Sequence, residues 1–161
     1  MELAHYNSPI GWLELSARNG RLVRVRKVDD PASPVFAKEG LLAETTRQLI
    51  DYFNRRRKDF ELPLDLSDGT PFYQSVWQEL LKIPYGHTTS YSAIAKTLGQ
   101  PDAVRAVGMA NRNNPIAIIV PCHRVIAKNG DLQGYFYGLD VKMQLLQIEN
   151  PMSFGEQGTL F

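Results

Sequence analysis

The feature that most limits the fold of this chain is a break in its hydrophobic pattern at residues 59–69. Pro63, Asp65, Ser67, Asp68 and Gly69 crowd this stretch, and it reads as a linker. Ahead of it, Leu13 and Leu15, then Leu22, Val23 and Val25, are apolar positions of short strands. Asn19-Gly20 between them is a strong hairpin turn. Pro31, Pro34 and Gly40 make residues 28–40 a loop. Leu42, Leu49, Ile50 and Phe53 then fall on one face of a helix spanning roughly 41–58. Its end carries Arg55-Arg56-Arg57-Lys58. Cations suit a helix C-terminus, and Asp59 and Glu61 follow, so a solvated helix end is favoured over a nucleic-acid patch.

Beyond the break the period is helical. Thr70-Pro71 is a helix start, with a hydroxyl cap and proline at the first position. Phe72, Val76 and Leu80 repeat every fourth residue, as do Tyr73, Trp77 and Leu81, and Trp77 is read as core. Ser90 caps a helix over about Tyr91–Leu98, Gly99-Gln100 turns, and Pro101 opens a helix over about Asp102–Asn111. Two short helices around a glycine-containing turn form a helix-turn-helix pattern. The second is nearly free of bulk at Ala103, Ala106, Gly108 and Ala110. Either another helix packs closely there, or a slim helix lies against DNA with Arg105 projecting. Ile116-Ala117-Ile118-Ile119-Val120 reads as a buried strand, and Asp140–Glu149 as a last helix. The expected architecture is α/β. A small sheet-plus-helix lobe spans 1–62 and a linker 63–69. A mainly helical domain with the helix-turn-helix and the reactive cysteine spans 70–161.

Charge and composition narrow the function classes. The 161 residues carry a formal net charge of +1. Between Tyr85 and His123, Lys96, Arg105 and Arg112 face Asp102 alone, a balance that permits nucleic-acid binding without requiring it. No apolar run approaches the roughly 20 residues needed to cross a bilayer. Met1-Glu2-Leu3-Ala4-His5 does not begin a secretory signal. One cysteine excludes an internal disulfide, and the expectation is a reducing compartment, cytoplasmic or, in a eukaryote, nuclear.

A lone cysteine is most often a small buried hydrophobe. Cys122, however, stands where an apolar run ends, with His123 next to it. A thiol attacks only as thiolate, so a base or cation must activate it at neutral pH. Neighbours in an extended strand point to opposite faces. Cys122 and His123 therefore pair only if the chain turns or if water or another side chain relays the proton. Glu149 is the best-placed carboxylate to orient the histidine. His5 and His87 have no cysteine or acidic cluster around them, and no metal or cofactor is expected.

Pro121-Cys122-His123-Arg124-Val125 resembles the active-site signature of the O6-alkylguanine-DNA alkyltransferases, also called methylated-DNA–protein-cysteine methyltransferases. Gly69-Thr70-Pro71-Phe72, Ile83-Pro84-Tyr85-Gly86, Thr89-Ser90-Tyr91, Arg105-Ala106-Val107-Gly108, Asn114-Pro115, Gly134-Tyr135, Gly138-Leu139 and Lys142 match in order and spacing. The resemblance covers about residues 70–149, and the N-terminal lobe more loosely. It implies a monomer that repairs double-stranded DNA by irreversible transfer of an alkyl group from O6 of guanine to Cys122, once per molecule. O4 of thymine is a further candidate substrate.

The resemblance also implies roles. His123 removes the cysteine proton through water, Glu149 orients it, and Asn114 braces the turn. Tyr91 donates to guanine N3, and backbone groups at Cys122, Val125 and Phe136 read the base edges. Arg105 fills the gap left by the flipped nucleotide, with Ala106, Gly108, Arg112 and Tyr91 also on the DNA. Val125, Tyr135, Phe136, Tyr137 and Lys142 line the pocket. One departure stands out. Tyr135-Phe136-Tyr137-Gly138 has two aromatics where the family keeps small residues. Inward rings would admit methyl and disfavour benzyl; outward rings would cover the DNA-facing surface. Alternatives are a non-enzymatic sensor of the same fold, whose members carry tryptophan at the cysteine position, a cysteine hydrolase, and a plain helix-turn-helix regulator.

Overall fold

The structure is a computed structural model, and it describes residues 1–127 and 135–154. It divides into two compact units. One holds Met1–Leu66 with Pro115–Ala117, the other Ser67–Asn114 with Ile118 onward.

In the first unit, β1 (Glu2–Ser8), β2 (Gly11–Arg18) and β3 (Arg21–Lys27) form an antiparallel meander. Asn19 and Gly20 both take positive φ, 54° and 74°, as the tight hairpin turn requires. A register shift at Ser16/Ala17 bends β2. Alternation buries Leu13, Leu15 and Ala17 on one face, and α1 (Gly40–Phe53) contributes buried Leu42, Leu49 and Tyr52. The helix ends five residues before the expected boundary, and Arg55 turns the chain with φ 59°. The basic run 55–58 therefore lies on a turn rather than on a helix end.

Two stretches read differently in the sequence join this unit. Residues 63–66, expected as linker, run beside β3: Leu22 N–H donates to Pro63 O at 2.8 Å, and Asp65 N–H to Leu22 O at 2.9 Å. Ile116 forms a parallel bridge to Val25. The run 116–120 is not a strand but a series of turns. Burial was the correct part of that reading, because all five side chains are buried. An apolar run signals burial and leaves the backbone conformation open.

In the second unit, the Thr70 hydroxyl accepts from Tyr73 N–H at 3.1 Å and starts α2 (Pro71–Leu80). Gly69 has a packing reason, since a Cβ there would stand 2.3 Å from the Trp77 ring. Trp77 is core and donates to Ala110 O at 2.8 Å. Ser90 caps α3 (Tyr91–Thr97) by accepting from Ala93 N–H. After the turn at Gly99 comes α4 (Val104–Arg112), starting two residues later than expected. β4 (Thr89–Ser90) pairs in parallel with β5 (Val125–Ile126). The last helices are α5 (Leu139–Glu149) and α6 (Pro151–Phe154).

Candidate active site

The chain turns at the cysteine. Cys122–Arg124 form a single 3-10 turn between the buried run 118–120 and β5, closed by Arg124 N–H to Pro121 O at 3.0 Å. This resolves the geometric objection to a neighbouring cysteine and histidine. Two asparagines from the end of α4 hold the turn. Asn114 Nδ2 donates to Val120 O at 2.7 Å, and Asn111 Nδ2 to Cys122 O at 3.3 Å. Between them Ile118 has φ 73°, a left-handed conformation costly for a β-branched side chain and kept only where its surroundings impose it.

Behind the cysteine lies a buried ion cluster. His123 Nε2 meets Glu149 Oε2 at 2.6 Å. Arg124 donates from Nε to Oε1 at 2.7 Å and from Nη2 to Oε2 at 3.1 Å. Arg124 Nη1 donates to Ile83 O at 2.8 Å, and its guanidinium lies 5.7 Å from the centre of the Tyr85 ring. Burial alone would raise the Glu149 pKa, but His123 and Arg124 overrule it and hold the carboxyl well below its usual range. An ionised Glu149 can only accept, so His123 donates its Nε2–H to it, and in the neutral tautomer of the ring Nδ1 is then the acceptor nitrogen. Nδ1 is buried and has no hydrogen-bond partner among the described residues.

Cys122 is buried. Burial pushes its thiol up to about 11, with Asn114 and the ammonium of Lys142 pulling the other way. Lys142 is fully buried and donates to Val125 O at 2.6 Å. Burial drops its pKa to about 8, and the charge of Cys122 partly restores it. Burial and the charge on Cys122 also raise the Tyr91 phenol, with Asn111 acting in the opposite sense, so the hydroxyl keeps its proton and remains a donor. Tyr135 is buried, pushed well above its ordinary value chiefly by burial and also by Cys122, and its hydroxyl has no partner among the described residues.

Cys122, His123, Glu149, Asn114, Tyr91, Lys142, Val125 and Tyr135 are thus gathered around one turn. Backbone groups of Cys122 and Val125 were expected to read a base; their carbonyls accept hydrogen bonds from Asn111 and Lys142 respectively. Of the two orientations open for Phe136, the ring takes the outward one: it is 58% exposed, with the Arg112 guanidinium 5.6 Å from its centre. Tyr137 is half-buried, edge-on to Tyr135 and Phe136 at 5.8 and 5.0 Å. The loop from Lys128 through Gly134 lies outside the described residues.

On α4, Arg105, Ala106 and Arg112 are exposed, and a Cβ at Gly108 would meet nothing within 4 Å. The slimness of Gly108 therefore has no packing cause among the described residues. A cavity of about 360 Å³ between Ile83, Pro84, His87, Thr89, Ile94 and Thr97 contains none of these site residues. Among the described residues, no group of three His, Cys, Asp or Glu side chains is placed to hold a metal ion.

Sequence reasoning missed Arg124 and Asn111. Arg124 had a usable signal, because an arginine inside an otherwise buried segment needs a buried anion. Asn111 had none, since its role depends on where α4 ends.

A buried cysteine backed by a histidine–glutamate pair, on a unit that carries a helix-turn-helix, defines a cysteine-nucleophile protein of the helix-turn-helix class. Residues 71–151 match the family model described as 6-O-methylguanine DNA methyltransferase, DNA binding domain. Residues 1–66 match its ribonuclease-like domain. The chain belongs to the 6-O-methylguanine DNA methyltransferase family. It is 48% identical over 147 residues to a methylated-DNA–protein-cysteine methyltransferase of Mycobacterium leprae, covering 89% of this chain and 88% of the relative. It is 47% identical to that of Methanosarcina acetivorans, covering 92% and 98%. The Mycobacterium tuberculosis OGT crystallised in complex with DNA superposes with a TM-score of 0.84 at 43% identity, covering 92% of each chain.

Proposed function

We propose that this protein repairs double-stranded DNA by moving a methyl group from O6 of guanine to Sγ of Cys122, once per molecule. The observation that carries this reading is the buried Cys122 thiol on its 3-10 turn, with His123 held by Glu149 directly behind it. A base inside a duplex cannot present O6 to a buried sulfur, so the nucleotide must be flipped out, at a cost of a few kcal/mol. Arg105, exposed on α4, fills the vacated stack and offsets part of that cost.

His123 Nδ1 accepts the thiol proton through a water. The thiolate then forms an S–C bond to the methyl carbon as the C–O6 bond breaks, and the electron pair stays with guanine. The Tyr91 hydroxyl donates to N3, so the leaving base need not depart as a bare anion. Lys142 stabilises the thiolate while it exists. The product is a thioether, which water does not hydrolyse, and none of the site residues regenerates the thiol. The protein acts as a monomer in a reducing compartment such as the cytoplasm, where the thiol persists.

Intact-mass analysis after mixing with a duplex containing O6-methylguanine tests the reading. The mass should rise by one methyl, mapped to Cys122, and stop there. Cys122→Ala should bind the duplex without gaining mass. Repeated turnover, or a methyl on another residue, would overturn the mechanism.

A further inference from the structure

We propose that Phe136 is a DNA-contact residue whose ring, held against the Arg112 guanidinium, stacks on a nucleobase of the bound duplex. The inference rests on the DNA-repair reading above and adds to it a base contact made outside the site at Cys122.

Three observations carry it. Phe136 is 58% exposed although it has no polar group to justify contact with water. Its ring is nonetheless held on two sides, edge-on to Tyr137 at 5.0 Å and 5.6 Å from the Arg112 guanidinium. A ring already fixed loses little freedom when a base covers it. Arg112 ties the ring to α4, where Arg105, Met109 and Arg112 recur at i, i+4 and i+7 and so share one face, with all three exposed. Met109 is 53% exposed there.

An apolar ring and a cation side by side match the two halves of a nucleotide. The ring offers a π face to the base, and the guanidinium offers charge to the adjoining phosphate. The bland reading is a surface cation–π pair that only tidies the loop, and it predicts no effect on DNA.

The test uses the full chain with Phe136→Ala, Phe136→Leu and Phe136→Trp, each checked for an unchanged thermal melt. Fluorescence anisotropy measures affinity for matched duplexes with and without O6-methylguanine, and mass spectrometry follows methyl transfer from the duplex and from the free base. Alanine and leucine should weaken binding of both duplexes about tenfold, within the range for losing one base–aromatic stack. Tryptophan should retain it. At subsaturating DNA, alanine should slow duplex repair about tenfold more than it slows reaction with the free base. Unchanged affinity in Phe136→Ala would overturn the proposal. Equal loss with duplex and free base would also overturn it, by placing the ring in the substrate pocket. Failure of the wild-type protein to gain a methyl would sink the repair reading instead, and the affinity measurement would still decide Phe136.

Discussion

Replacing Glu149 by glutamine separates the structural from the chemical work of one buried carboxylate. Glu149 accepts from His123 Nε2 at 2.6 Å and from Arg124 Nε and Nη2 at 2.7 and 3.1 Å, with 1% of its side chain exposed. The glutamine amide keeps the shape, loses the charge and replaces one acceptor oxygen by a donor. The Arg124 guanidinium then stays buried opposite an N–H group. Removing one partner of a buried ion pair costs about 3–5 kcal/mol, because the other charge is left uncompensated. That is a large share of the roughly 5–15 kcal/mol that holds a typical domain together. Urea unfolding of Glu149→Gln should show this loss as a lower midpoint with an unchanged slope. Adding Arg124→Leu should restore much of the stability, since the stranded charge is gone. It should not restore methyl transfer, which mass spectrometry at limiting duplex should find about a hundredfold slow, in line with loss of an oriented general base. Wild-type stability in Glu149→Gln would refute the ion-cluster argument. A wild-type rate in the double variant would refute the orienting role.

The same carboxylate sets an acid limit. Its folded pKa lies below the ordinary 4.5, so its stabilisation is complete above that value and fades as the pH falls through it. Between roughly pH 5 and pH 3 the wild-type protein should lose stability more steeply than Glu149→Gln. Arg105→Ala should slow repair in duplex more than reaction with free O6-benzylguanine; equal loss would make Arg105 structural. Lys142→Met removes the buried ammonium beside the thiol, so the pH profile of Cys122 alkylation by iodoacetamide should fall in its limb below about pH 8, where the lysine carries its charge. An unmoved profile would show that the lysine does not act on the sulfur.

Much of the fold could be read where local chemistry decides the outcome. Asn19-Gly20 dictates its hairpin, Thr70-Pro71 its helix start and Ser90 its cap, whatever else surrounds them. Readings failed where partners distant in sequence decide. The run 116–120 is apolar enough for a strand, but Asn114 bonded to Val120 folds it into turns, and no periodicity reports that bond. Residues 63–66 look like a linker by composition, yet they satisfy the backbone of Leu22. Cys122 and His123, the proposed nucleophile and base, were legible as adjacent residues. The turn that lets them cooperate was left open, because it depends on Asn111 holding the Cys122 carbonyl. The orientation of Phe136 was open for the same reason, being set by Arg112, twenty-four positions earlier.

Three buried polar atoms without a hydrogen-bond partner among the described residues belong to side chains gathered at Cys122: His123 Nδ1, Asn111 Oδ1 and the Tyr135 hydroxyl. Folded proteins leave few such atoms, because each costs about 1–3 kcal/mol. Here they surround a nucleophile whose turn also carries Ile118 at φ 73°. Stability is therefore sacrificed around this turn, beside the buried ion cluster of His123, Glu149 and Arg124. The pattern is what a pre-organised site requires, because polar atoms left unsatisfied by the protein are available to the groups that react there. In the proposed transfer, His123 Nδ1 is the acceptor that the thiol proton needs. An incoming base need not displace protein partners to reach these atoms, so its binding recovers cost already incurred in folding. A repair protein that acts once gains nothing from easy product release, and a site that holds its substrate in this way suits it.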